Sequence, residues 1–136
     1  MFRAPLLFCY LLAGVAGGCE SAANRKASLL DAVLEYSDGV RWGRPELVVR
    51  YLSRSHGQRI LARRAGHPDL QVTDAEVDAV QVLSVDRALS TVRFDWYELR
   101  EARLRRSVIQ QTWTLEKGEW RLADQRWLRG APFPLL

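Results

Sequence analysis

The stretch between residues 92 and 127 constrains the fold most strongly, because apolar and polar side chains alternate there in two successive runs. It also holds four of the chain's five tryptophans. The residues on the more apolar side are Val92, Phe94 and Trp96, followed by Ile109, Gln111, Trp113 and Leu115. A period of two is typical of strands with one buried face. This stretch therefore predicts three antiparallel strands that supply most of the core.

Two turns set the expected pairing of these strands. Lys117-Gly118 lies between the last two strands, and glycine suits the positive φ that a two-residue hairpin turn needs. An earlier hairpin is expected to close at residues 100–103. These turns predict Leu115 opposite Trp120, Trp113 opposite Leu122, Gln111 opposite Asp124, Ile109 opposite Arg126 and Phe94 opposite Ile109. Both turns place the large apolar residues on one face, which supports the predicted register.

Three polar residues interrupt this predicted apolar face. Gln111, Asp124 and Arg126 would stand beside Trp96 and Trp113, an arrangement that suits a mostly apolar ligand pocket with a few fixed polar groups. The five residues are therefore candidate ligand contacts. Desolvation could also prepare Asp124 as a general base. The alternative is that Asp124 pairs with an arginine and has only a structural role, since ion pairs perturb carboxylates as readily as catalysis does.

Helical periodicity precedes the strands. Leu29, Leu30, Val33 and Leu34 predict a first helix, capped by Asn24 or Ser28 and ended by Gly39. Pro45 suits the first turn of a second helix, and Ser55 is expected to cap a third that ends near Gly66. A strand follows from Leu70, with a bulge near Ala79. Helices followed by antiparallel strands predict an α+β domain.

The helices in LLDAVLEYSDGVRWGRPELVVRYL and the closing SVIQQTWTLEKGEWRLADQRW resemble the nuclear transport factor 2-like, or SnoaL-like, superfamily. The resemblance implies N-terminal helices packed on a bent antiparallel sheet, which forms a cone with an internal pocket. Enzymes of this superfamily hold carboxylate and histidine acids and bases in that pocket. Such a fold hosts unrelated functions, so it does not by itself assign an activity.

The N-terminus has the layout of an export signal, with Arg3 before an apolar run too short to span a bilayer. Ala16-Gly17-Gly18-Cys19 resembles the lipobox of bacterial lipoproteins, although alanine replaces the preferred leucine or valine. The resemblance implies a signal peptide over residues 1–18, and a thioether-linked diacylglycerol and an amide-linked fatty acid such as palmitate on Cys19. A short tether over 19–26 and a single domain over 27–136 would follow. Glu20 after the cysteine implies the outer membrane, facing the periplasm.

Cysteine and charge exclude several classes of site. Cys9 would leave with the signal and Cys19 would carry lipid, so the domain would hold no catalytic or metal-ligating thiol. The two histidines, His56 and His67, lack a ligand spacing and are expected in surface turns. We therefore expect no metal and no cofactor. The net charge of +4 is too small and too well mixed to predict nucleic-acid binding.

Two groups of arginines could face anionic lipid, or could be ordinary solvated surface balanced by acidic neighbours. They are Arg50, Arg54, Arg59, Arg63 and Arg64 on the helices, and Arg100, Arg103, Arg105 and Arg106 at a hairpin. The sequence thus favours a non-enzymatic envelope lipoprotein that binds a protein partner or a small apolar ligand. The alternative is a SnoaL-like enzyme that uses Asp124 as general base, with Gln111 and Arg126 orienting the substrate.

Overall fold

The computed structural model describes residues 21–136, so Cys19 and the predicted signal peptide lie outside the described residues. Three helices precede four strands, as predicted. The helices are α1 (Ala22–Trp42), α2 (Pro45–Arg50) and α3 (Arg54–Gly66). The strands are β1 (Leu70–Val82), β2 (Arg87–Glu98), β3 (Arg105–Glu116) and β4 (Glu119–Gly130). The predicted fold class is confirmed: the helices pack against a curved antiparallel sheet.

The bounds of α1 differ from the prediction at both ends. The Ser21 side chain accepts a hydrogen bond from the backbone N–H of Asn24, so the helix begins inside the predicted tether. At the other end the helix continues past Gly39 and stops at Gly43, which has a left-handed φ of 63°. Gly39 has a packing role instead, because an added Cβ would lie 2.8 Å from Cβ of Leu47 in α2. The predicted stop at Gly39 is therefore wrong.

The two short helices connect α1 to the sheet. Pro45 occupies the first turn of α2, as predicted. Ser53, rather than Ser55, caps α3 by accepting from the backbone N–H of His56. Between these helices, the carbonyl of Tyr51 accepts a hydrogen bond from the N–H of Leu122 in β4. This bond attaches the helical segment to the edge strand.

The sheet is a four-stranded meander in the order β1-β2-β3-β4. The turn predicted at Lys117-Gly118 is confirmed, with Leu115 opposite Trp120. The β2–β3 register differs from the prediction by two residues, since Phe94 pairs with Ser107 rather than with Ile109. An even shift keeps each side chain on its predicted face. The bulge expected near Ala79 lies between Val77 and Ala79.

The core lies between α1 and the inner face of the sheet, and the three central tryptophans are buried in it. Trp96, Trp113 and Trp120 are each at most 4% exposed. Residues 131–136 fold back onto this core: Phe133 stacks on Phe94 with 4.9 Å between ring centroids and an interplanar angle of 2°. The inner space of the sheet is thus filled by helix, strand and C-terminal segment together.

Candidate functional site

One chain of hydrogen bonds crosses the interior from β2 to α1. The indole Nε1 of Trp113 donates to Ser90 Oγ at 2.9 Å, and Ser90 donates to Gln111 Oε1 at 2.7 Å. Gln111 Nε2 donates to Gln125 Oε1 at 3.2 Å, and Gln125 Nε2 donates to the hydroxyl of Tyr36 at 3.0 Å. Gln111 and Ser90 are buried and bonded to one another, so they are not left free for a ligand.

The other buried polar groups beside the tryptophans are also satisfied. Trp96 Nε1 donates to Ser107 Oγ at 2.8 Å, and Ser107 donates to the carbonyl of Ala131 at 2.5 Å. Trp120 Nε1 donates to Ser28 Oγ at 3.1 Å. Each of the three buried indoles therefore donates to a serine. Burial raises the pKa of the Tyr36 hydroxyl far above its usual value, so Tyr36 acts here as a neutral hydrogen-bonding group.

The predicted cross-strand partners of Asp124 and Arg126, which were Gln111 and Ile109, are wrong. A bulge at Ala123 shifts the register between Trp113 and Thr112, so Asp124 pairs with Thr112 and Arg126 pairs with Gln110. Both side chains are exposed, and Arg126 Nε donates to Gln110 Oε1 at 2.8 Å. Gln125 takes the interior place beside Gln111. One extra residue has moved the charged side chains to the opposite face.

The five residues predicted as ligand contacts are therefore not brought together. Trp96, Trp113 and Gln111 lie in the closed core, whereas Asp124 and Arg126 lie on the exposed face of β4. None of the five lines the surface cavities of about 40, 160, 230 and 360 Å³. A ligand-binding role for these residues stays a prediction.

A different site lies between α3, β4 and the C-terminal segment. This α3 cavity has a volume of about 160 Å³ and is lined by His56, Arg59, Ile60, Arg63, Gln125, Leu135 and Leu136. Helical spacing explains its basic wall, since residues three and four apart share a helix face. Its lining Gln125 is the same residue that ends the interior hydrogen-bond chain, so the cavity adjoins the buried network.

The charges around the α3 cavity are predominantly positive. Burial lowers the pKa of His56, and the neighbouring guanidinium groups of Arg59 and Arg63 lower it further, while the Asp124 carboxylate raises it. His56 is thus not the free surface-turn residue expected from the sequence. It is half-buried within α3 and interacts electrostatically with Asp124. His67 lies at the end of α3, where its Nδ1 is 2.8 Å from Glu98 Oε1.

Three other cavities offer less to a ligand. In a cavity of about 230 Å³, Arg50 is paired with Glu35 and Arg121 with Glu119. A cavity of about 360 Å³ beside the Ala123 bulge also has Arg121 in its lining, together with Glu116 and mostly uncharged side chains. A cavity of about 40 Å³ next to Arg64 can hold little more than water. The α3 cavity combines space with the charges of Arg59 and Arg63, which have no ion pair among residues 21–136, and we take it as the candidate site.

Sequence reasoning missed this site because its residues come from three distant segments. His56, Arg59 and Arg63 do recur at positions i, i+3 and i+7, which predicts a shared helix face. That spacing could have been read from the sequence. The position of Gln125 beside this face could not be predicted, because it depends on the bulge at Ala123. The contact of Leu135 and Leu136 with the site could not be predicted either, because the extended C-terminal segment carries no periodic signal.

No helix within residues 21–136 is both long and apolar enough to cross a membrane. Within the same range, no three histidine, cysteine, aspartate or glutamate side chains cluster so as to hold a metal ion.

Solved structures share the fold of this chain. An NTF-2-like protein of unknown function from Shewanella oneidensis MR-1 has a TM-score of 0.60 and 10% identity, over 76% of this chain and 98% of that chain. A cystatin-like domain of unknown function from Nostoc punctiforme PCC 73102 has a TM-score of 0.57 and 15% identity, over 77% and 76%. The intermembrane space region of the chloroplast protein ARC6 has a TM-score of 0.51 and 17% identity, over 76% and 95%.

At such identities the likeness establishes the fold alone, the helix-and-curved-sheet cone of NTF-2-like proteins. No protein-family profile matches the chain, and neither does any curated protein sequence. Function must therefore be argued from the site.

Proposed function

We propose that this chain is a lipid-anchored, non-catalytic binding protein of the cell envelope that engages its ligand or partner at the α3 cavity. The observation that carries the proposal is the filled interior. Where a cone-shaped enzyme would hold substrate, this chain has Trp96, Trp113 and Phe133 packed together. The buried polar groups beside them, Ser90 and Gln111, already have partners. Binding at the surface is then the role that the geometry supports best.

The filled interior also favours a protein partner over a small apolar ligand, the two alternatives that the sequence left open. A small apolar ligand would need space beside the tryptophans, and displacing Phe133 would expose its aromatic surface at a cost of roughly 1.5–3 kcal/mol. A partner that contacts the outside needs no such rearrangement. The α3 cavity offers that outside contact, with a basic wall from α3 and an apolar wall from Leu135 and Leu136.

Cys19 supplies the anchor in this proposal, on the strength of the lipobox-like Ala16-Gly17-Gly18-Cys19. The anchor would hold the domain at the outer membrane, on its periplasmic side. Metabolic labelling with an alkyne fatty acid tests it: the wild-type chain should incorporate the label and Cys19→Ala should not. Equal labelling of the two proteins would contradict the anchor.

Site-specific photo-crosslinking in intact envelopes tests the binding role. A diazirine amino acid at Ala62, exposed on α3 between Arg59 and Arg63, should give a discrete adduct that mass spectrometry identifies as protein, lipid or small molecule. The same amino acid at Gln71, exposed on β1, is the matched control and should not give that adduct. The same adduct from both positions, or from neither, would contradict binding at the α3 cavity.

A second candidate function is catalysis by Asp124. It is favoured by one observation, the electrostatic interaction of Asp124 with His56 beside the same cavity. Against it, the Asp124 side chain is exposed to solvent rather than held in an enclosed pocket. Asp124→Asn separates the two functions, since it should leave the Ala62 adduct intact and would abolish a reaction that depends on this base.

A further inference from the structure

The arginines of α3 differ from three of the four arginines at the β2–β3 hairpin in how they are neutralised. At the β2–β3 hairpin, Arg100 pairs with Asp69, Arg105 pairs with Glu101, and Arg106 forms a two-bonded pair with Asp95. These arginines are ordinary paired surface residues.

The third helix is different. It carries four arginines, one histidine and no acidic residue. The ion pairs within residues 21–136 involve none of these arginines. A charge left without a partner at the surface is available to a ligand, whereas a paired one must first give up its neighbour.

Two of the unpaired arginines converge with a histidine on one space. Arg59, Arg63 and His56 line the same α3 cavity. The Asp124 carboxylate raises the pKa of His56, whereas the guanidinium groups of Arg59 and Arg63 lower it, so one negative charge faces two positive ones. The site therefore keeps an excess positive charge in a partly enclosed space of about 160 Å³.

We propose that the α3 cavity binds a phosphate group. The planar forks of arginine match phosphate oxygens geometrically and can make two bonds each. A phosphomonoester carries about −1.5 to −2 charges near pH 7, so it balances the pair Arg59 and Arg63 more fully than a single carboxylate does. The imidazole of His56 adds a further donor when protonated.

The opposite wall of the cavity fits the remainder of such a ligand. Leu135 and Leu136 present apolar side chains there, and Leu135 also belongs to the core cluster. A ligand with a phosphate and an adjoining apolar part would contact both walls. Two sources provide this chemistry: the headgroup of an anionic lipid, and a free phosphorylated compound.

This proposal deepens the proposed function and rests on it for the location of the site. Its test follows the ring signals of His56 by NMR in the full chain while inorganic phosphate is added. Phosphate in the cavity should shift these signals saturably, because a neighbouring anion favours protonated imidazole. The double variant Arg59→Gln/Arg63→Gln should weaken binding at least tenfold.

Two variants control for charge and for folding. Arg100→Gln/Arg105→Gln removes the same two charges from the hairpin and should change phosphate affinity less than twofold. Arg59→Lys/Arg63→Lys keeps the charge and removes the forks, so it should weaken binding by an intermediate factor. Urea unfolding midpoints identify any variant that fails to fold.

Vesicle sedimentation then distinguishes the two sources. With Cys19→Ala protein, which lacks the proposed lipid anchor, vesicles that contain phosphatidic acid should retain more protein than phosphatidylcholine vesicles if the source is a lipid headgroup. Binding of inorganic phosphate without such preferential retention would assign the site to a free phosphorylated compound.

Equal weakening in the α3 and hairpin double variants, or no His56 shift with inorganic phosphate, would overturn the phosphate proposal. An adduct from Ala62 that persists in that case would leave the binding function standing with another ligand. Phosphate binding by the purified protein, with no adduct from Ala62 in envelopes, would leave the phosphate site standing and contradict the proposed function in the envelope.

Discussion

Ser90 links two buried partners, and replacing it by alanine perturbs the interior with the loss of a single oxygen atom. The Ser90 hydroxyl accepts from Trp113 Nε1 at 2.9 Å and donates to Gln111 Oε1 at 2.7 Å. Ser90 is 1% exposed, and Trp113 and Gln111 are each 0% exposed. Water therefore has no route by which to replace the lost bonds without opening the core.

The magnitude follows from the groups left behind. Ser90→Ala leaves one buried indole N–H and one buried amide oxygen without a partner. Each buried unsatisfied group costs about 1–3 kcal/mol, so the free energy of unfolding should fall by roughly 2–6 kcal/mol. A domain of this kind is stable by only about 5–15 kcal/mol, so the substitution would remove a large part of its stability.

Urea unfolding followed by far-ultraviolet circular dichroism measures this loss. Thr91→Ala is the control, because it removes a hydroxyl at the next position of β2 on the other face of the sheet, and it should cost less than about 1 kcal/mol. A Ser90→Ala protein within about 0.5 kcal/mol of wild type would refute the reasoning. It would mean that the Trp113 and Gln111 groups find other partners.

Two further perturbations address the helix contact and the outer face. Gly39→Ala should destabilise the protein by roughly 1–3 kcal/mol despite a helix-propensity gain of about 1 kcal/mol, because the new Cβ would lie 2.8 Å from Cβ of Leu47. Gly66→Ala is the control, since a Cβ there would meet nothing within 4 Å. Equal thermal midpoints for the two variants would contradict the predicted clash with Leu47. Arg106 holds the pKa of Asp95 below its usual value by hydrogen bonding and charge, so the stability that Asp95 contributes is present above its unfolded pKa of about 3.9 and is lost as pH falls through the lower folded value. Asp95→Asn should therefore flatten the acid decline of urea midpoints, and an unchanged decline would argue against the pair.

The elements that could be predicted from the sequence are those with local signals. Lys117-Gly118 places a glycine where the hairpin needs positive φ, and the observed φ of Gly118 is 78°. Alternation then predicted that Trp113 and Leu115 share the buried face. The predicted β2–β3 register was wrong by two residues, but the buried face was still assigned correctly, because side chains two residues apart point the same way.

The candidate site escaped prediction because it depends on interruptions of those signals. Nothing in the run Leu122-Ala123-Asp124 marks a bulge, so continued alternation placed Asp124 inside and Gln125 outside. Likewise Gly39 resembles a helix stop, although its role is the close approach of α2. In both cases tertiary packing overrides a local preference.

The bulge at Ala123 makes β4 tolerant of a change in length. Ala123 has no cross-strand partner, since Leu122 pairs with Trp113 and Asp124 with Thr112. Deleting Ala123 would straighten the strand and leave every later residue opposite its present neighbour. Deleting a paired residue instead, such as Leu122, would remove a core side chain. Strand interiors ordinarily do not tolerate deletions, because the residues that follow change face. Here the codon for Ala123 could be lost during divergence, and Asp124 and Gln125 would keep their present faces of the sheet.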